Sequence, residues 1–346
     1  MIIKLDLEGD LFESIEALVK NGKYSDLHQF IKIAIKNQIQ EESTGISSKP
    51  ETPPSILTEE IPETLEEKQD VIVKHLWEFN PQETRYKPKI EDMICPFYTR
   101  FFPAKVIIHK LASMLSPQKP WIEIREIQDE AFIFAEKVST KLRDIEDTNQ
   151  IPRNKKLSTG LPMPKTEFSG LKGAKRRKKE NKYQSSKTRF KEQFVGKKKT
   201  KEPYFEGACF SMGLIAVKFD DDTCFVSLTE QGKNFALLDN PILDAKSYEH
   251  SFSDDEVEFI FSKIYPKFES ENKIIYEIIK ALKVKKLKSD DINEIFQKEN
   301  RKDFRAERVS TMGKLSELRI VNWKINKEGK SIYSLNEDNP GLLNRI

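Results

Sequence analysis

The sequence predicts a mainly helical α+β protein with small β-hairpins, and three observations carry that expectation. Apolar residues recur every three or four positions over several separate stretches, the period of a helix with one buried face. Two pairs of short apolar runs flank turn residues, at 214–228 and 321–335, as hairpin strands do. Hydrophobic residues make up 37% of the chain and charged residues 33%, a balance that suits several small domains better than one large core.

Taken in order, Ile3, Leu5 and Leu7 alternate with Lys4 and Asp6, the period of a strand. Leu11, Ile15, Leu18 and Val19 then fall at helical spacing up to Asn21-Gly22, a stop signal. Ser25 is placed to cap a second helix with Leu27, Phe30, Ile31, Ala34 and Ile35 on one face. Strand, helix, "NGKYS" turn and the helix "SDLHQFIKIAIKNQI" resemble the ribbon-helix-helix family of prokaryotic DNA-binding proteins over residues 1–40. That resemblance implies a homodimer through paired strands, with Ile2, Lys4 and Asp6 facing a major groove. Asp6 departs from the pattern, because near phosphates a carboxylate can accept only from a cytosine amino group. Residues 41–70 hold nine acids, two lysines and four prolines, which predicts a flexible acidic linker.

A second domain is expected over 71–245. Trp77 and Phe79 are early core candidates, Pro103 opens a helix bearing Val106, Ile107, Leu111 and Met114, and a longer helix carries Ile124, Ile127, Ala131, Phe134, Val138, Leu142 and Ile145. The pattern is interrupted by a basic insertion at about 150–186. From Arg153 to Lys201 the chain carries 18 Lys or Arg and three acids, a net +15; since the whole chain sums to +3, everything else carries −12. Charge gathered this way neutralises phosphates and releases their counterions, giving salt-dependent nucleic-acid affinity. The candidate contacts are Lys175, Arg176, Arg177, Lys178, Lys179, Lys187, Arg189, Lys191, Lys197, Lys198 and Lys199. Taken alone, Gly173–Lys182 reads equally as a solvated disordered loop.

Leu214–Phe219 and Cys224–Leu228 then form a hairpin around Asp220-Asp221-Asp222, closed by a helix from Thr229. Helices, a two-stranded wing and "LTEQG" resemble winged-helix domains over roughly 98–240, with an acidic wing tip as a departure. Ser253 and Glu256 form a capping box that starts a connecting helix within 246–271. The last domain, 272–346, has Ile274, Ile275, Ile278, Ile279 and Leu282 on one helix; Ser289 as the cap of a second with Ile292, Ile295 and Phe296; and a third from about Phe304 to Leu318. Val321–Ile325 and Ser331–Leu335 flank "NKEGK", and the set again resembles a winged helix. On the third helix Val309, Met312 and Leu315 are expected inward, leaving Arg305, Arg308, Thr311 and Lys314 outward to read a major groove, with Lys327 and Lys330 on the hairpin tip.

The expected function is duplex-DNA binding by a prokaryotic dimer in transcription regulation, plasmid maintenance or DNA processing. A non-enzymatic scaffold that docks proteins in a larger defence or replication complex is the alternative. No phosphate-cradling Gly-rich motif, nucleophile elbow or nuclease-like carboxylate cluster occurs, so neither catalysis nor a cofactor is expected. Three scattered cysteines and four scattered histidines predict neither disulfides nor a metal site. No apolar run approaches the ~20 residues of a membrane span, and the N-terminus lacks a signal-peptide core, which predicts a cytoplasmic, nucleoid-associated protein.

Overall fold

Among the described residues one winding occurs twice: a helix, a two-residue strand, a second helix and, further on, a hairpin whose later strand pairs with the short one. The computed structural model describes residues 76, 78–83, 94, 98–199, 204–299, 301, 304–327 and 329–337, all within one unit running from Glu63 to Ile346. The expectations for 1–40 and 41–70, Lys4 and the dimer included, lie outside these residues. What is described is mainly helical with small antiparallel sheets.

The first winding runs through α1 (Phe102–Met114), β1 (Ile122–Glu123) and α2 (Ile124–Thr148). Pro103 sits in the first turn of α1, where its missing N–H leaves no intrahelical bond unmade. Next come α3 (Gly173–Arg189), a wider π turn at Phe190–Val195, β2 (Lys197–Lys199), β3 (Tyr204–Glu206), α4 (Ala208–Ser211), the hairpin β4 (Ile215–Asp220) and β5 (Thr223–Leu228), and α5 (Glu230–Leu237). The hairpin register runs from Ile215 opposite Leu228 to Asp220 opposite Thr223, and Ile122 pairs with Val226. The second winding follows α6 (Asp254–Phe259) as α7 (Glu269–Val284), β6 (Leu287–Lys288), α8 (Ser289–Lys298), α9 (Phe304–Glu317), β7 (Val321–Ile325) and β8 (Ser331–Leu335). Its sheet order, β6-β8-β7, repeats the β1-β5-β4 order of the first.

Local chemistry accounts for the boundaries. Ser253 and Glu256 form the expected capping box on α6. Ser289 opens α8 instead of capping it, and Asp291 accepts from the Lys288 N–H at 2.6 Å. Thr229 caps α5 by accepting from Gly232 N–H at 3.0 Å. In the same "LTEQG" stretch, a Cβ at Gly232 would overlap the carbonyl oxygen of Leu214, so glycine lets α5 lie against the hairpin. Gly232→Ala should therefore lower stability by roughly 1–3 kcal/mol despite alanine's better helix propensity; an unchanged urea midpoint would refute the close approach.

The segments expected as separate domains share one core, continuous from Leu76 to Tyr333. Arg100 donates to Gly313 O, Ser310 Oγ donates to Tyr98 O at 2.8 Å, and Arg319 donates to Phe252 O at 3.2 Å. Among the described residues two ion pairs are wholly buried. Lys105 lies 2.9 Å from Glu256 and also donates to Phe235 O and Leu238 O, each at 2.7 Å. Lys314 lies 2.5 Å from Glu271, which accepts in addition from Ile94 N–H at 2.7 Å and Thr311 Oγ1 at 3.2 Å.

Glu317 binds the start of α1, accepting from the Phe101 N–H at 2.5 Å. Burial pushes its pKa up to about 7, partly offset by Arg100 and the Phe101 and Phe102 amides. Its folded pKa exceeds the ordinary carboxylate value, so the folded state holds this proton more tightly than the unfolded chain. Its contribution to stability is complete at low pH and is lost as pH rises through about 7. Glu317→Gln should flatten the fall in unfolding midpoint between pH 5 and 8; an unaltered pH profile would rule this group out as its source.

Candidate nucleic-acid interface

The basic segment is ordered as helix α3, which corrects the loop reading of Gly173–Lys182. Alanine, lysine, arginine and glutamate are good helix formers, and Arg176 pairs with Glu180 one turn on at 3.0 Å. Tertiary anchors complete the reason. Tyr183 is buried edge-on against Phe132 and Phe168, and Phe190 just beyond the helix packs on Phe132 and Phe194. Lys187 lies over the Phe132 ring at 5.2 Å.

The three acids of the basic segment are all consumed on its inward side or at its ends. Glu167 takes Arg143 and, at 2.7 Å, Lys179; Glu180 takes Arg176; Glu192 takes Lys197 at 2.5 Å. Burial opposes ionisation of Glu167, but the Lys179 hydrogen bond and the charges of Arg143, Lys179 and Lys182 hold its pKa below the ordinary value. Lys191 pairs with Asp129, and Lys198 lies 3.4 Å from Asp222 at the tip of the first hairpin. Lys199 is in β2.

Lys175, Arg177, Lys178, Lys182 and Arg189 are exposed and make no ion pair among the described residues. At 100° per residue, Lys175, Lys178, Lys182 and Arg189 fall within roughly 60° of one another, a cationic stripe about 21 Å long. Beside it the exposed positions Asn181, Gln184, Ser185 and Thr188 carry only neutral polar side chains. A cavity of about 330 Å³ near the start of α3 is lined by Lys165, Thr166, Phe168, Ser169, Gly170 and Arg176.

The expected reading face of α9 is not on the surface. Thr311 and Lys314 are fully buried, whereas Val309, expected inward, is 54% exposed. Glu307, Ser310, Thr311, Lys314, Leu315 and Leu318 form the buried stripe, at helical spacing. Its polar members are accepted inside because partners await them: Arg301 for Glu307, Tyr98 O for Ser310 and Glu271 for Thr311 and Lys314. Arg308 is half-buried and donates to Ser289 O and Asn293 Oδ1, both at 3.0 Å. Of the expected row only Arg305 is exposed.

At the second hairpin Lys327 and Lys330 are exposed, Lys330 lying 3.5 Å from Asp290. A cluster missed from sequence adjoins it. Lys280, Lys283, Lys285, Lys286 and Lys288 are all exposed, with no acid between them along the chain, although Lys285 lies 3.5 Å from Asp291. Across the sheet Lys288 is level with Ile332 and Ile332 with Lys324, which puts the two lysines on one face. The signal was five lysines in nine residues, obscured because a helix C-terminus favours lysine anyway.

Cys209 and Cys224 are buried free thiols, and burial pushes the Cys224 thiol up to about 12. No group of three or more His, Cys, Asp or Glu among the described residues is placed to hold a metal, and no described helix is long and apolar enough to cross a membrane. Comparison with family models, curated proteins and solved structures finds no match to this chain.

Proposed function

We propose that this chain is a duplex-DNA-binding protein whose principal phosphate contact is helix α3. The single observation that carries the reading is the exposed stripe Lys175, Lys178, Lys182 and Arg189, held on a helix anchored at Tyr183 and Phe190, with no carboxylate left unpaired in the basic segment. A rigid row of cations neutralises phosphates without the ordering cost that a loop would incur. The lysines at 280–288 with Lys324, Lys327 and Lys330 supply a second positive surface. The repeated winding, helix, strand, helix and hairpin with the sheet order first-third-second, supports the winged-helix resemblance of both halves. Regulation of transcription, plasmid maintenance and DNA processing by a dimer paired through residues 1–40 are the uses such a protein would serve.

A second reading, a scaffold whose winged-helix-like parts dock proteins, is favoured by the burial of Thr311 and Lys314 and by the exposure of Tyr276, Val284, Val309 and Ile325. Binding of the full chain to nonspecific duplex at several salt concentrations separates the two. A DNA-binding protein gives a steep linear fall of log K with log salt; a scaffold gives neither affinity nor slope.

A further inference from the structure

The outward half of α3 is divided by chemistry. On one border stand Lys175, Lys178, Lys182 and Arg189, while Asn181, Gln184, Ser185 and Thr188 occupy an adjacent arc of roughly 100° with Arg177 one turn before Asn181. All nine are exposed. None of the four neutral side chains accepts or donates to another described group, and no acid lies within the arc; Glu180, one turn before Gln184, borders it and is ion-paired with Arg176. No large apolar side chain stands among them either, so the face lacks the aromatic or aliphatic anchor that protein interfaces use.

Resting on the DNA-binding reading above, we propose that α3 is the sequence-reading element of this protein. It lays Asn181, Gln184, Ser185 and Thr188 along base edges in the major groove of duplex DNA, while the cationic border follows one phosphate strand. The chemistry fits that occupant. Asn and Gln bond adenine N6 and N7 bidentately, Ser and Thr reach either base type, and Arg177 can take guanine O6 and N7. The B-form major groove, about 12 Å wide, admits a helix, whereas the deep, narrow major groove of A-form RNA does not. Burial of Tyr183 and Phe190 on the opposite side sets which face of the helix looks outward, so the arc is presented without prior rearrangement.

The test is selection of the full-length protein on random duplex DNA, followed by affinities for the selected and for scrambled duplexes. Wild type should enrich a short motif and prefer it. Asn181→Ala with Gln184→Ala should lose about tenfold or more of that preference per contact, with affinity for scrambled DNA and its salt slope unchanged. Both positions are exposed and alanine is the better helix former, so the fold should hold. Gln184→Glu, nearly equal in shape, should redirect the motif. If wild type binds duplex with a steep salt slope but enriches no motif, if the double variant keeps the same motif, or if a duplex RNA of the same sequence is bound as tightly as the selected DNA, the reading role of α3 is overturned while DNA binding stands. Absence of any salt-dependent duplex binding by wild type overturns both.

Discussion

Replacing Lys314 with methionine should lower stability by about 3–5 kcal/mol, the range for removing one partner of a buried ion pair. Lys314 and Glu271 are both fully buried at 2.5 Å, and nothing else described beside Glu271 carries a full positive charge as close. The Ile94 N–H and Thr311 hydroxyl that also reach the carboxylate stabilise it only in part. Urea denaturation measures the loss, and a second variant sharpens it. Lys314→Met combined with Glu271→Gln removes the stranded charge and should recover a substantial part of the deficit. A loss below about 1 kcal/mol for the single change would mean the pair is hydrated and the core more open than described. The same variant bears on function: DNA affinity of the folded fraction should be unchanged, because this side chain never meets solvent.

The opposite separation is expected for α3. Changing Lys175, Lys178, Lys182 and Arg189 together to Gln should leave the unfolding midpoint within about 0.5 kcal/mol of wild type, because all four are exposed and unpaired among the described residues. Duplex affinity should fall steeply. If each cation neutralises one phosphate, the slope of log K against log salt should become shallower by about 3.6, that is 0.9 for each of four contacts. Between 50 and 200 mM salt, wild type should then lose on the order of a hundredfold more affinity than the variant. Arg176 and Lys179, although in the same run, are engaged by Glu180 and Glu167 and should contribute less to the slope. An equal slope in the variant and wild type would place the phosphate contact elsewhere, with the lysines at 280–288 the next surface to change.

The elements were legible where the signal is local. Both hairpins, Pro103 at the head of α1, the helix starting at Thr229 and the capping box at Ser253 follow from neighbours within a few residues, and the structure places them so. α3 was legible as charge but not as a helix. Its Tyr183 and Phe190 become anchors only because Phe132, some fifty residues earlier in the chain, stands opposite them.

By itself the sequence determined the concentration of positive charge in one segment, the helical character of most of the described residues and the positions of their turns, since these depend on composition, period and short-range bonding. Only the tertiary structure decided which face of α9 is inside. An apolar period marks the buried side of a helix when burial is stabilised by water leaving carbon. In α9 Glu307, Ser310, Thr311 and Lys314 are buried by partners brought from residues 98, 271 and 301, and no local pattern encodes those. Tertiary structure likewise decided which cations remain free, because an ion pair such as Lys179 with Glu167 or Lys191 with Asp129 joins residues that the sequence sets 12 and 62 positions apart.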